Sequence, residues 1–345
     1  MELNSEQSIR TFYLYPTVGD DDWRYGFATG LVRSLQTKLL TKGTLADMAG
    51  AENYDSAAAI LSSSEYAPPQ DSFGPEDMEK NLLAQRSAVR KLFTDLMIEK
   101  EIITLFRLRD DFANLRLALR RKLTEKPIGT DYSNEGNVPA EDFELLFEEE
   151  NYDPLPYYMQ EAIEDAVIAY YQNKDIRQID FALDGKFYEY VLSRASHLKN
   201  IFLCELIKMQ IDFVNIRTML RLKFTDSELR DVFIEGGYIE FSKLKNAIDS
   251  DYEAIKILFA STQYSDIVET GVNYLVSNKS FLRLEQKCEE HLAAFLKLTD
   301  MITAGPQPVI AYFLLKQSEI RNLRLILNAK KNGLDKELIL DRIGR

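Results

Sequence analysis

Between Ile102 and Leu123 the apolar residues Ile102, Leu105, Leu108, Phe112, Leu115, Leu119 and Leu123 are separated by steps of 3, 3, 4, 3, 4 and 4. That spacing draws one apolar stripe along an amphipathic helix. Similar patterns run through residues 24–40, 79–100, 157–173, 186–222, 252–275, 281–303 and 308–330. No convincing set of alternating strands competes with them, and few of the 15 glycines and 10 prolines fall inside these runs. The pattern predicts an all-α fold. Breaks are expected at SSSEYAPPQDSFGP (62–75) and at TEKPIGTDYSNEGNVP (124–139), the best linker. Two more are expected at FTDSELRDVFIEGG (224–237), whose glycine pair suits a tight turn, and at AGPQP (304–308), which stops one helix and starts the next.

One helical segment recurs. DFANLRLAL (111–119), DFVNIRTML (212–220) and EIRNLRLIL (319–327) share an acid, an Asn three residues on, an Arg five on and a Leu eight on. The copies start 101 and 107 residues apart, and a fourth, degraded copy opens at Phe27, with Thr29 in place of Asn and Arg33 displaced. Between them a turn with an aliphatic residue precedes a short helix: KGTLADM (42–48), GNVPAEDF (136–143) and GGYIEFSKL (236–244). The expectation is three similar helical domains in tandem, 1–125 (with an N-terminal tail and first helix), 126–225 and 226–345, each ending in the motif helix. At about 100° per residue the acid and Asn lie on one side of the stripe and the Arg on its other flank. Two readings follow. The polar groups orient neighbouring helices, as repeated positions beside a stripe do in repeat proteins. Alternatively, the three helices line a shared surface and offer Asn114, Arg116, Asn215, Arg217, Asn322 and Arg324 to a partner.

The repeat bears on the candidate chemistry. Asp110 and Asp111, with Asn114 after them, resemble the magnesium-binding acidic helix of all-α isoprenoid synthases. Ile211 and Ser318 precede the acid in the other copies, however, and the opposing motif fails from Asn246, where Ser250 fits but Ala254 replaces a carboxylate. His197 with Cys204, and Cys288 with His291, have no spacing of a closed zinc module and read as buried thiols and surface histidines. No phosphate loop or nucleophile elbow is present, so no catalytic residue, cofactor or metal is expected. Trp23, beside GDDD at the start of the first helix, reads as a packing residue.

The net charge of −13 divides as −3 over residues 1–125, −8 over 126–225 and −2 over 226–345. Without a basic domain, nucleic acid is not an expected partner. The acidity fits a solvated surface, or a middle third facing a basic partner; EDFELLFEEENYD (141–153) reads as a solvated helix end or a docking face. Two distant cysteines fit a reducing cytosol. The opening MELNSEQSIRTFYLYP lacks a basic region followed by an apolar core, so no secretory signal is expected. No apolar run approaches the ~20 residues of a membrane span, so any membrane contact is expected to pass through another protein.

The last 42 residues, 304–345, resemble the end of the C subunit (the d subunit in eukaryotes) of the rotary V/A-type ATPases and ATP synthases. Ala311, Tyr312, Lys316, Glu319, Asn322, Leu323, Arg324, Ile326, Lys330, Asn332, Gly333 and Leu334 fit that family's terminal helix, and Ala329 stands where it often has Gly. Asp175, Asp180, Leu183, Asp184 and Phe187 fit its middle pattern, while YGFATGLVRSLQTKLL is similar to its opening helix but lacks the usual Asn and one Arg. The resemblance implies a pseudo-threefold funnel without catalysis. It implies a cytoplasmic component, one per complex, between the central shaft and the membrane proteolipid ring. Torque would pass through it between ATP chemistry and proton or sodium movement. A helical-repeat scaffold of another assembly is the alternative reading.

Overall fold

A computed structural model describes residues 15–67, 74–124, 132–227, 229 and 232–343. The opening stretch to residue 14, the centres of the loops expected at 62–75 and 124–139, part of that at 224–237, and the last two residues lie outside the described residues. The described residues form fifteen α-helices and three 3₁₀ turns, with no strand. The helices are α1 (Gly26–Gln36), α2 (Lys42–Gly50), α3 (Tyr54–Ala59), α4 (Pro75–Leu96), α5 (Lys100–Thr124), α6 (Ala140–Glu148), α7 (Tyr157–Asn173), α8 (Arg177–His197), α9 (Ile201–Phe224), α10 (Phe241–Asp249), α11 (Tyr252–Phe259), α12 (Ser265–Asn278), α13 (Leu282–Lys297), α14 (Pro306–Lys331) and α15 (Lys336–Ile343).

Two apolar runs that read as single helices are divided. The run 186–222 breaks between α8 and α9, where Lys199 takes a left-handed φ of 51°. Asn200 then caps the new helix by accepting the Leu203 N–H at 3.0 Å. The run 252–275 breaks after Phe259, where the Thr262 N–H turns back to the Phe259 carbonyl at 2.9 Å. Buried apolar residues stand close to both sides of each break, so the density of apolar positions does not register it.

The chain forms two compact units, one from residues 1–98 with 255–345 and the other from 99–254. The second unit is built on α5, α6, α7 and α8. Phe112, Leu115 and Leu119 of α5 meet Phe143, Leu146 and Phe147 of α6, Met159 and Ile163 of α7, and Ile179 and Leu183 of α8. Ala162 and Ala166 share this core, and their small side chains let α7 lie close against α8. Each fully buried Leu, Ile or Phe contributes about 1.5–3 kcal/mol by leaving water.

The first unit joins both ends of the sequence around α14, where fifteen of 26 residues are buried. Its helix lies against α1, α2, α3 and α4, and Phe313 stacks on Phe93 with centroids 4.3 Å apart. Thr29 and Arg33, the displaced polar pair of the degraded repeat, hold the turn before α14. The Thr29 hydroxyl accepts the Gly305 N–H at 3.1 Å, and Arg33 donates to the Thr299 carbonyl. Trp23 is not a packing residue: it is 72% exposed. Asp22 caps the turn at residue 23, which sends Tyr25 inward instead. The Tyr25 hydroxyl accepts the Ile98 N–H at 2.9 Å and donates to the Met97 sulfur at 3.1 Å.

Candidate functional site

The motif acids do the same work three times. In the first copy Asp111 is fully buried. Its Oδ1 accepts the backbone N–H groups of Asn137 and Val138 at 2.8 and 3.0 Å, and its Oδ2 accepts Asn137 Nδ2 at 2.8 Å. In the second copy Asp212, also fully buried, accepts the N–H groups of Tyr238 and Ile239 at 3.0 and 3.1 Å. The partners stand 26 and 27 residues after the acid in both copies. Val138 and Ile239 each precede a short helix, α6 or α10, by two residues. In the third copy Glu319 accepts the N–H of Leu40, which precedes α2 by two residues. The third acid is therefore matched with the landmark helix near the N-terminus.

The other end of each short helix is held by a lysine. Lys122 Nζ donates to the Phe147 carbonyl at 3.0 Å, Lys223 to Ile248 at 3.1 Å and Lys330 to Ala51 at 2.6 Å. Each lysine stands eleven residues after its acid. A carboxylate at the N-terminus of a helix and an ammonium at its C-terminus both complement the macrodipole and satisfy terminal backbone groups. Sequence reasoning named Lys330 only within the family resemblance and missed Lys122 and Lys223, because the motif was closed at its Leu, three residues short of a Lys that all three copies share.

The motif asparagines close loops. Asn114 exchanges two hydrogen bonds with the backbone of Ser133, at 2.9 and 2.8 Å. Asn215 does the same with Ile234, both at 2.8 Å and again 19 residues away. Both asparagines are buried. Asn322 is half-buried and joins no such clip, because the equivalent position is Leu35, in the last turn of α1.

The motif arginines Arg116 and Arg324 reach acids on neighbouring helices. Arg116 pairs with Asp180 at 3.1 Å and with Asp184, and Arg120 also pairs with Asp180. Burial pushes the Asp184 carboxyl up, and Arg116 opposes that shift. Arg324 pairs with Glu79 of α4 at 2.7 Å, beside a cavity of about 470 Å³ lined by Tyr54, Met78, Leu82 and Leu327. Arg217 is half-buried on α9.

Acid and lysine thus bracket each short helix at its two ends, and the third bracket carries extra charge. Lys316 is buried and pairs with Glu65 and, at 2.5 Å, with Glu319, while its ammonium lies 4.3 Å from the Tyr66 ring centroid. Tyr66 donates its hydroxyl to Glu319 at 2.7 Å. Burial, with the Glu319 carboxylate beside it, pushes the Tyr66 phenol far up.

Asp111, the acid considered for magnesium, has both oxygens engaged as an anchor; burial pushes its carboxyl up and the Asn137 and Val138 donors pull it down. Asp110 accepts the Ser133 hydroxyl at 3.0 Å. Among the described residues no group of three or more His, Cys, Asp or Glu side chains is placed to hold a metal ion. Cys288 is buried and His197 exposed, as expected, but Cys204 is only half-buried and His291 is buried against the rings of Tyr15 and Tyr264 at 4.7 and 5.7 Å. No helix among the described residues is long and apolar enough to cross a membrane.

Comparison with known proteins places this architecture. The profile of the ATP synthase (C/AC39) subunit family matches residues 28–342. The C subunit of the V-type sodium ATPase of Enterococcus hirae is 25% identical over 317 residues, covering 91% of this chain and 96% of that protein. The C subunit of the A-type ATP synthase of Thermococcus kodakarensis is 24% identical, with 93% and 90% covered. That of Pyrococcus abyssi is 22% identical, with 97% and 95% covered.

Proposed function

Because the chain belongs to the ATP synthase (C/AC39) subunit family, that of the C subunits of the V/A-type ATPases, we propose that it is the non-catalytic central-stalk socket of such a complex. One copy would receive the end of the central shaft and rest on the proteolipid ring. ATP hydrolysis or synthesis would thereby be linked to proton or sodium transport. The protein would be cytoplasmic and peripheral to the membrane through the ring.

The bracket is the observation that carries this reading. A protein that transmits torque must resist bending at its helix junctions. Here each short helix is held at both ends by charged groups of a long one. We read the recurrence as three similar units in tandem, 1–125, 126–225 and 226–345, in a pseudo-threefold funnel, with the motif helix that ends each unit holding the short helix of the next and the third returning to the first. The reading assigns shaft or ring contacts to the half-buried Arg116, Arg217, Asn322 and Arg324 rather than to the buried Asn114 and Asn215.

A tagged chain recovered from detergent-solubilised membranes and analysed by intact-complex mass spectrometry tests the role. Recovery with a proteolipid ring and a coiled-coil shaft protein is expected. Recovery with a different set of partners would favour the scaffold of another assembly and overturn the socket.

A further inference from the structure

Helix α7 has two faces of different character. Met159, Ala162, Ile163 and Ala166 are buried in the core of the second unit. On the opposite side Tyr157, Glu161, Glu164, Ile168 and Tyr171 follow one another at steps of 4, 3, 4 and 3. At about 100° per residue they fall within a stripe about 80° wide, and 14 residues of helix make it about 21 Å long. Tyr157, Ile168 and Tyr171 are 73%, 45% and 56% exposed. Single exposed apolar side chains are ordinary, but three aligned on one helix face make an uncovered seam.

The stretch of sequence that carries the seam is strongly acidic. Residues 127–173 contain twelve Asp and Glu and no Lys or Arg. Taking those twelve from the 55 acids of the chain leaves 43 against 42 Lys and Arg, so this segment carries nearly the whole net charge. Lys186 from α8 meets Asp165 at 3.2 Å, beside the seam, and also feels the charge of Glu161.

We propose that the outer stripe of α7 is a docking face for a Lys/Arg-rich amphipathic helix of a protein partner. The charge repels nucleic acid, an anionic bilayer and a second copy of this chain alike. A helix carrying basic residues three or four apart matches Glu161 and Glu164, while its apolar edge covers Ile168 and the tyrosine rings. The rings also accept cations from above: Lys174, just beyond α7, already lies 4.2 Å from the Tyr171 centroid. This goes beyond the socket role and does not depend on it.

The test titrates the full chain with two synthetic amidated peptides of ~18 residues, long enough to span the stripe. One carries Leu along one face and Arg along the other; the second has the same composition in scrambled order. Calorimetry at low and moderate salt should show binding of the patterned peptide at least tenfold tighter than of the scrambled one. Glu161→Gln with Glu164→Gln should weaken it about tenfold and flatten its salt dependence. Tyr157→Ser with Tyr171→Ser should weaken it several-fold with the salt dependence kept. Glu253→Gln with Glu269→Gln, exposed acids elsewhere, should leave it unchanged. All these side chains lie outside the core, and melting curves check that each variant folds. Equal binding of the scrambled peptide, or indifference to the α7 variants, overturns the proposal. Self-association or uptake by phosphatidylserine vesicles that the α7 variants abolish would assign the face to another occupant and overturn it as well.

Discussion

Asp212 and Gly237 offer a direct measure of what one anchor contributes. Replacing Asp212 by Ala removes the acceptor of the Ile239 N–H, which is buried, and of the Tyr238 N–H, which is partly buried. A buried donor left unsatisfied costs about 1–3 kcal/mol, and a bond to a charged acceptor contributes about 1.5–3 kcal/mol. Asp212→Ala should therefore destabilise the second unit by about 3 kcal/mol. Gly237 reaches the same bond from the other side. A Cβ there would lie 2.1 Å from Asp212 Oδ1 and 3.2 Å from Ile211 Cγ2. Its φ is not in the left-handed region, so Ala is excluded by the carboxylate and not by the backbone. Gly237→Ala should expel the carboxylate and cost about 2–3 kcal/mol, the same bonds being lost.

The double variant separates this account from generic damage. With Asp212 shortened to Ala, the new methyl at 237 occupies vacated space. The two costs should then overlap, leaving the double variant about 2 kcal/mol less damaged than the sum of the singles. Urea unfolding followed by circular dichroism gives the energies, and hydrogen exchange over residues 232–249 locates them. Protection of the Ile239 amide should fall in all three variants. Strict additivity, or an Asp212→Ala cost below about 1 kcal/mol, would refute the anchor.

Other consequences follow from the same geometry. Lys223→Met should remove one charge-assisted bond to the Ile248 carbonyl and cost about 1 kcal/mol, read as a melting shift of about 2–4 °C. Lys316→Met should leave Glu319 and Glu65 uncompensated beside Tyr66 and cost about 3–5 kcal/mol, and adding Glu319→Gln should restore part of it in the same unfolding assay. His291 is held by desolvation at about 4, below its ordinary 6.5. The unfolded chain therefore binds the proton first, and stability is full above pH 6.5 and declines as pH falls toward 4. The loss is about 3 kcal/mol, and His291→Gln should flatten that slope in urea midpoints taken between pH 7 and pH 4.

The helices were legible because a buried stripe must recur every 3.6 residues whatever it packs against. The recurrence of Asp111, Asp212 and Glu319 was legible for the same reason: each sits at a fixed offset from its stripe. What those acids hold was not legible. The partners of Asp111 and Asp212 are main-chain N–H groups, which every residue but proline carries, so no side-chain pattern marks Val138 or Ile239. The glycines before them, Gly136 and Gly237, were visible but read as turn formers. Each lacks a Cβ where one would lie 2.1 Å from the acid's oxygen. The match of α14 with α2 was hidden more deeply, since the repeat read in chain order joins each motif helix to the segment beside it.

That match explains why the third bracket differs from the first two. The Asp111 anchor closes a segment of 26 residues, whereas Glu319 reaches Leu40 across 279. Loop-closure entropy grows as about (3/2)RT ln n, so the longer connection costs about 2 kcal/mol more if the intervening chain is flexible. The bracket is correspondingly larger. Copies one and two have Leu108 and Met209 three residues before the acid, where the third has Lys316. Lys316 recruits Glu65, and the third acid also takes the Tyr66 hydroxyl. Glu in place of Asp adds the methylene that lets one carboxylate meet Lys316, Tyr66 and the Leu40 amide together. Covalent adjacency assembles the first two brackets, and added ionic and hydrogen-bonding partners do so for the one that must join the two ends of the sequence.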